Sequence, residues 1–166
     1  MTLLLRPARS TDAGKLGDMI TRAVLENLWQ PRLHTGAEDI AFAGQMIDRG
    51  WVTVAAAAES SAVLGFLARN GTEVNALYVH PASRNRGIGR ALIGAAQHDS
   101  DRLELWTFVA NEGARRFYER AGFVEAERTD GSGNEEGLPD IRFVWHRTVP
   151  SGRTPKQPGQ TKEQSI

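Results

Sequence analysis

One transition governs the folds open to this chain. Glu73 to Val79 reads as a β-strand, Pro81 ends it, and from Ile88 the apolar period becomes helical, with Ile88, Ala91, Leu92, Ala95 and Ala96 on one face. Between the two lies Arg84-Asn85-Arg86-Gly87-Ile88-Gly89-Arg90. Its two glycines permit a tight path that turns several N–H groups toward one point, and the following helix adds its free amides and positive dipole end. Such a unit can hold a pyrophosphate with Arg84, Arg86 and Arg90 close by; an ordinary glycine turn with solvated arginines has the same sequence. A Walker loop would need Gly-Lys-Ser/Thr, and a dinucleotide fingerprint would need a third glycine where Leu92 stands.

The flanking elements complete a pattern. Leu3 to Pro7 reads as an opening strand. Ser10, Thr11 and Asp12 then offer N-cap oxygens to a helix carrying Leu16, Met19, Ile20, Ala23 and Val24 on one stripe. Ile40, Ala43, Gly44 and Ile47 mark a second helix. Trp51 to Ala57 and Val63 to Ala68 read as strands, and the Asn70-Gly71 turn leads into Glu73 to Val79, so these three should be antiparallel neighbours. Leu103 to Phe108 is the next strand, Asn111 to Ala121 a helix stopped by Gly122, and Phe123 to Arg128 and Ile141 to His146 the last two strands. The order βααβββαβαββ predicts an α/β (α+β) domain with a mixed sheet and helices on both faces.

Composition narrows the class. With 166 residues, 40% of them hydrophobic, the chain suits one core, placed at 1–149, and the proline-rich polar stretch 150–166 predicts a disordered tail. There is no cysteine, which excludes disulfides and thiolate metal sites. Twenty basic and 20 acidic residues give no global field toward nucleic acid or a membrane, so neither is an expected partner. Leu3 to Leu5 is too short for a signal-peptide core and no later stretch could span a bilayer, so a soluble cytoplasmic protein is expected. His34, His80, His98 and His146 lack metal-ligand spacing, and no metal is predicted.

Two motifs carry a family resemblance. Leu77-Tyr78-Val79-His80-Pro81 followed by Arg84-x-x-Gly87-Ile88-Gly89-x-x-Leu92 resembles the acetyl-coenzyme A signature of the GNAT acetyltransferases. Downstream, Asn111 to Phe123, with Ala114, Phe117, Tyr118 and Gly122, resembles the second signature of that superfamily. The resemblance extends over the elements from Leu3 to His146 and implies a mixed, mostly antiparallel central sheet.

The resemblance also implies a site. The strand at Glu73 to Val79 should carry a bulge and splay from the strand at Leu103 to Phe108, opening a slot for a pantetheine arm. Backbone groups of Leu77 and Val79 should pair with that arm, a nearby N–H should stabilise the thioester oxyanion, and Arg84, Arg86, Gly87, Ile88, Gly89 and Arg90 should cradle the pyrophosphate. Asn111 and Tyr118 lie nearly two turns apart on one helix face. By resemblance Asn111 bonds the arm and Tyr118 is the general acid toward the departing thiolate, a role that suits a phenol protonated at neutral pH. A base for the amine is less well marked. Asn75 stands where many relatives have an acid, leaving Glu73 on the same strand face, Glu104 on the neighbouring strand, or water.

Trp29 to Gly36 and Thr129 to Asp140 should flank the acceptor, the second loop presenting carboxylates to a cationic amine or forming a solvated acidic turn. A small-molecule amine is the expected acceptor and a homodimer is open. A protein or peptide amine, or a non-catalytic acyl-coenzyme A-binding role, are the alternatives.

Overall fold

A computed structural model describes residues 2–148; the tail expected to be disordered lies outside the described residues. Seven strands, β1 (Leu3–Pro7), β2 (Val52–Ala57), β3 (Val63–Asn70), β4 (Glu73–Val79), β5 (Arg102–Phe108), β6 (Val124–Thr129) and β7 (Asp140–His146), form one sheet in the order β1-β2-β3-β4-β5-β7-β6. All neighbours are antiparallel except β4 and β5. The helices are α1 (Ala13–Glu26), α2 (Gly36–Asp48), α3 (Ile88–His98) and α4 (Glu112–Arg120), so the element order and the mostly antiparallel mixed sheet are as the sequence predicts.

Each face of the sheet buries its own apolar layer. Ile88, Leu92 and Ile93 of α3 and Tyr118 of α4 pack against Val74, Leu103, Leu105 and Phe143 on one face. Leu16, Met19 and Ile20 of α1 and Ala43 and Met46 of α2 pack against Val54, Phe66 and Ala76 on the other. Helices α1 and α2 approach closely at Gly17, where a Cβ would lie 2.5 Å from the Ile40 Cα. The same approach brings Thr21, one turn on, against Asp39, whose carboxylate accepts its hydroxyl proton at 2.6 Å.

The start of α1 differs from expectation. Ser10–Asp12 form a 3-10 turn, and no side-chain oxygen caps α1. The Asp12 carboxylate turns instead to the Arg6 guanidinium at 2.8 Å and the Arg9 amide at 2.8 Å. Asp12 is buried, and there a guanidinium meets its charge better than a helix end does. Its pKa is accordingly lowered, chiefly by the bond from Arg6. Two boundaries also move inward: β2 starts at Val52, and Asn111 caps α4, accepting the Ala114 amide at 3.1 Å.

The sheet is distorted at one place. Ala68 pairs with Ala76 but Arg69 pairs with Val74, so Asn75 is an extra residue bulged out of β4. The bulge bends β4, and β4 and β5 share a single ladder partner pair, Glu73 with Glu104. Beyond that pair the strands part.

Candidate active site

The parting of β4 from β5 opens a cleft of about 1200 Å³. Its walls are the C-terminal half of β4, the loop 83–90, the end of β5, the buried side of α4 and the end of α1. The His80 amide donates to Leu64 of β3. Backbone groups alternate in direction along a strand, so those of Leu77 and Val79 face away from β3, toward the cleft. An unpaired strand edge of this kind can receive an extended amide-bearing chain.

At one end of the cleft α3 begins. Gly87 takes φ +80° as the residue before α3, and Asn85 also has positive φ, at 63°. The path aims loop amides and the α3 N-terminus at the cleft, an arrangement suited to a phosphate. Gly87, Ile88, Gly89, Arg84 and Arg90 line it; Arg86 does not. Arg84 is engaged by Glu26 at the end of α1, in hydrogen bonds of 2.9 and 2.7 Å. Arg90 has no ion-pair partner among the described residues, and Arg116 and Arg120, one turn apart on α4, add positive charge to the lining. Nothing local in the sequence marks these two as cleft residues, although their spacing places them on one helix face with each other.

Asn111 and Tyr118 both line the cleft, Tyr118 from within α4 and Asn111 from the N-cap position just before it. Asn111 spends its side-chain oxygen on capping α4, which leaves its amide group for the cleft. Tyr118 is 9% exposed, ringed by Phe117, Phe123 and Phe143, and its hydroxyl has no hydrogen-bond partner among the described residues. Burial, and then the nearby Tyr78 phenol, push its pKa up, so the group is a proton carrier at neutral pH.

The two carboxylates considered as bases stand elsewhere. Glu73 lies on the far side of the bulge, exposed, accepting the Asn75 side-chain amide at 3.2 Å. Glu104 is bound by Arg102 at 2.7 Å and Arg142 at 3.2 Å. Neither lines the cleft, whereas Asn75 does.

The loops 27–35 and 130–139 meet beside the cleft, which Asn27 and Gln30 of the first loop line and no residue of the second does. Trp29 packs edge-on to Phe108 of β5, with ring centres 5.6 Å apart. His34 and Glu135 join the loops at 2.6 Å. Most of the acidic loop is bound internally: Asp140 accepts from the Thr129 hydroxyl and from Asn134, whose side chain also ties the loop to Leu138. Among the described residues no three His, Asp or Glu side chains gather to hold a metal ion, and no helix is long and apolar enough to cross a membrane.

Comparison with known proteins points the same way. The family profile described as an acetyltransferase (GNAT) domain matches residues 40–125. The chain is 41% identical over 68 residues to an uncharacterised N-acetyltransferase of Methanocaldococcus jannaschii, a match covering 38% of this chain and 30% of the relative's length. The fold is that of apo-YjaB from Escherichia coli, with TM-score 0.71, 22% identity and coverage of 87% and 98% of the two chains. It is also that of YncA from Salmonella typhimurium, described as a putative acetyltransferase with its cofactor acetyl-CoA, with TM-score 0.67, 19% identity and coverage of 92% and 100%.

Proposed function

The chain belongs to the GNAT acetyltransferase family, and from that premise we propose that it is an N-acetyltransferase moving the acetyl group of acetyl-coenzyme A to a primary amine of a small molecule by direct attack in a ternary complex. The observation that carries this reading is the convergence on one cleft of three things: the open β4 edge at Leu77 and Val79, the α3 N-terminus with Gly87, and the Tyr118 hydroxyl. Acetyl-coenzyme A supplies an activated acyl thioester on a long amide-bearing arm that ends in phosphates. The residues present fit such a molecule. Leu77 and Val79 have backbone donors and acceptors for the arm, the Asn111 amide adds another, and the loop Arg84–Arg90 with the α3 amides suits the pyrophosphate.

Tyr118 has its place in the chemistry because burial keeps its proton on and its hydroxyl opens to the cleft rather than to a structural partner. It is the general acid for the leaving sulfur. The chain has no cysteine, so no thiol in it can hold an acetyl group between half-reactions, which favours direct attack. With Glu73 and Glu104 both outside the cleft, water at the cleft mouth takes the amine's proton. We favour a small acceptor over a peptide because the His34–Glu135 bond draws the loops 27–35 and 130–139 together beside the cleft, leaving less room for an extended chain there. A panel of free amines and peptides with radiolabelled acetyl-coenzyme A tests this. Label transferred to free amines supports it, and label transferred to peptides alone contradicts it.

A further inference from the structure

The cleft has two sides, and the groups assigned to the cofactor account for one of them. Gly87 and Asn111 start α3 and α4, Tyr118 lies within α4, and Leu77 and Val79 turn their side chains to the same layer. Side chains alternate along a strand, so Tyr78 between them points to the opposite face. There it packs with the α1 and α2 layer, its ring centre 5.5 Å from that of Phe66. On this side the end of α1 and the loop after it bring Val24, Asn27 and Gln30 to the cleft. An acyl group held where β4 parts from β5 is open to attack from the α1 side.

The Tyr78 hydroxyl is placed to meet what arrives there. It has no hydrogen-bond partner among the described residues, where the one enclosed side-chain polar atom without a partner is the His146 Nε2. The Tyr78 oxygen therefore reaches open space, and the space its residue lines is the cleft. Burial, and then the charges of Asp39 and Glu136, push the phenol pKa up, so Tyr78 keeps its proton and is no base. What it offers an incoming nitrogen is an oxygen lone pair. Tyr118, on the other side of the sheet, is near enough to feel the Tyr78 phenol.

We infer that the Tyr78 hydroxyl accepts a hydrogen bond from the acceptor amine and so aims the nitrogen lone pair at the thioester carbon, from the face opposite Tyr118. This rests on the amine-acetyltransferase reading above and adds the group that touches the acceptor. The neutral nitrogen attacks, the C–N bond forms, and the C–S bond breaks with its electron pair on sulfur, which takes the Tyr118 proton. Positive charge grows on the nitrogen as it bonds, so its N–H donates to Tyr78 more strongly in the transition state than before it. The other N–H proton leaves to water at the cleft mouth, and solvent returns a proton to Tyr118.

The test compares the full native chain with Tyr78→Phe and Tyr118→Phe, using radiolabelled acetyl-coenzyme A and butylamine, benzylamine and a hexapeptide with a free N-terminus as acceptors. Tyr78→Phe keeps the ring against Phe66, so the melting temperature and the KM for acetyl-coenzyme A should hold while kcat/KM for the acceptor falls at least about tenfold. Calorimetry reads butylamine binding to the coenzyme A complex in parallel. There the ammonium donates to the same oxygen, so Tyr78→Phe should weaken binding at least about tenfold and Tyr118→Phe should leave it unmoved. A Tyr78→Phe chain that matches the native one in both readouts would overturn the role. So would a loss of kcat with butylamine binding unchanged, because the hydroxyl would then serve the acyl oxygen. Transfer to the hexapeptide alone would count against the small-acceptor reading, with Tyr78→Phe still expected to lower that transfer. Butylamine binding that Tyr78→Phe removes, without transfer to any acceptor, would count against the proposed activity and support the contact; neither binding nor transfer by the native chain would overturn both.

Discussion

Arg84 meets Glu26 through two hydrogen bonds, of 2.9 and 2.7 Å, that join the loop before α3 to the last residue of α1. The arginine expected to face a phosphate is thus shared with a carboxylate, and the Glu26 pKa is lowered mainly by that bond. A phosphate in the loop competes with Glu26 for the same guanidinium. Glu26→Gln should therefore tighten acetyl-coenzyme A binding by about threefold and Arg84→Ala should weaken it by about as much, read by calorimetry. Both side chains are substantially exposed, so neither change should move stability by more than about 1 kcal/mol.

Gly87 is required for its backbone and not for its lack of bulk. A Cβ there would meet nothing within 4 Å, yet φ is +80°. Gly87→Ala should cost about 1 kcal/mol in urea unfolding, the penalty of a left-handed conformation for an L-residue. It should also weaken acetyl-coenzyme A, because relief of that strain swings the loop amides. At Gly89 the added Cβ would instead lie 3.3 Å from the Phe117 ring, so Gly89→Ala should act by displacing the aromatic next to Tyr118.

Tyr118→Phe removes a hydroxyl that supports nothing else. The expected result is a fall in kcat of about 100-fold or more with the KM for acetyl-coenzyme A and the melting temperature preserved. In the proposed general-acid role the protonated form is the working form, and burial moves its loss upward from the ordinary tyrosine value of 10.0. The native kcat should then show no alkaline decline from this group below pH 10, whatever the acceptor.

The bond between His34 and Glu135 ties the loops 27–35 and 130–139 in a pH-dependent way. Glu135, first through the hydrogen bond and then through its charge, raises the His34 pKa above 6.5. A raised value means the bond stabilises the closed arrangement fully below the ordinary histidine pKa and loses that contribution as pH rises through the shifted one. Proton NMR titration of His34 should show the upward shift, and Glu135→Gln should move the ring back toward its ordinary value, leaving the smaller effects of Glu38 and Asp39. An unshifted native His34 would contradict the clasp.

What the sequence makes legible is local, and what it hides is distant. The loop Arg84–Arg90 is readable because glycines and a change of period sit side by side, and the spacing of Asn111 and Tyr118 puts both on the cleft lining although Asn111 proves to be the N-cap of α4 and not a residue of the helix. The bulge at Asn75 has no local signal in β4. The family resemblance implies a bulge in this strand, but its position at Asn75 appears only when Val74 and Ala76 are seen to pair with adjacent residues of β3, and it explains why Glu73 stands outside the cleft. Glu26 lies 58 residues from Arg84. The Thr21–Asp39 contact depends on how closely two helices pack at Gly17, and neither pairing leaves a period to read. The acidic loop 129–140 reads as a display of carboxylates, yet folding binds Asp140 to Thr129 and Glu135 to His34.

The most direct measurement is calorimetric titration of acetyl-coenzyme A into the native chain and into a Gly87→Asp, Gly89→Asp double variant, with circular dichroism on both. The expected result is saturable binding by the native chain that the two carboxylates abolish while the fold remains. A well-folded native chain that fails to bind, or a variant that binds equally well, would contradict the placement of the cofactor in the opening between β4 and β5.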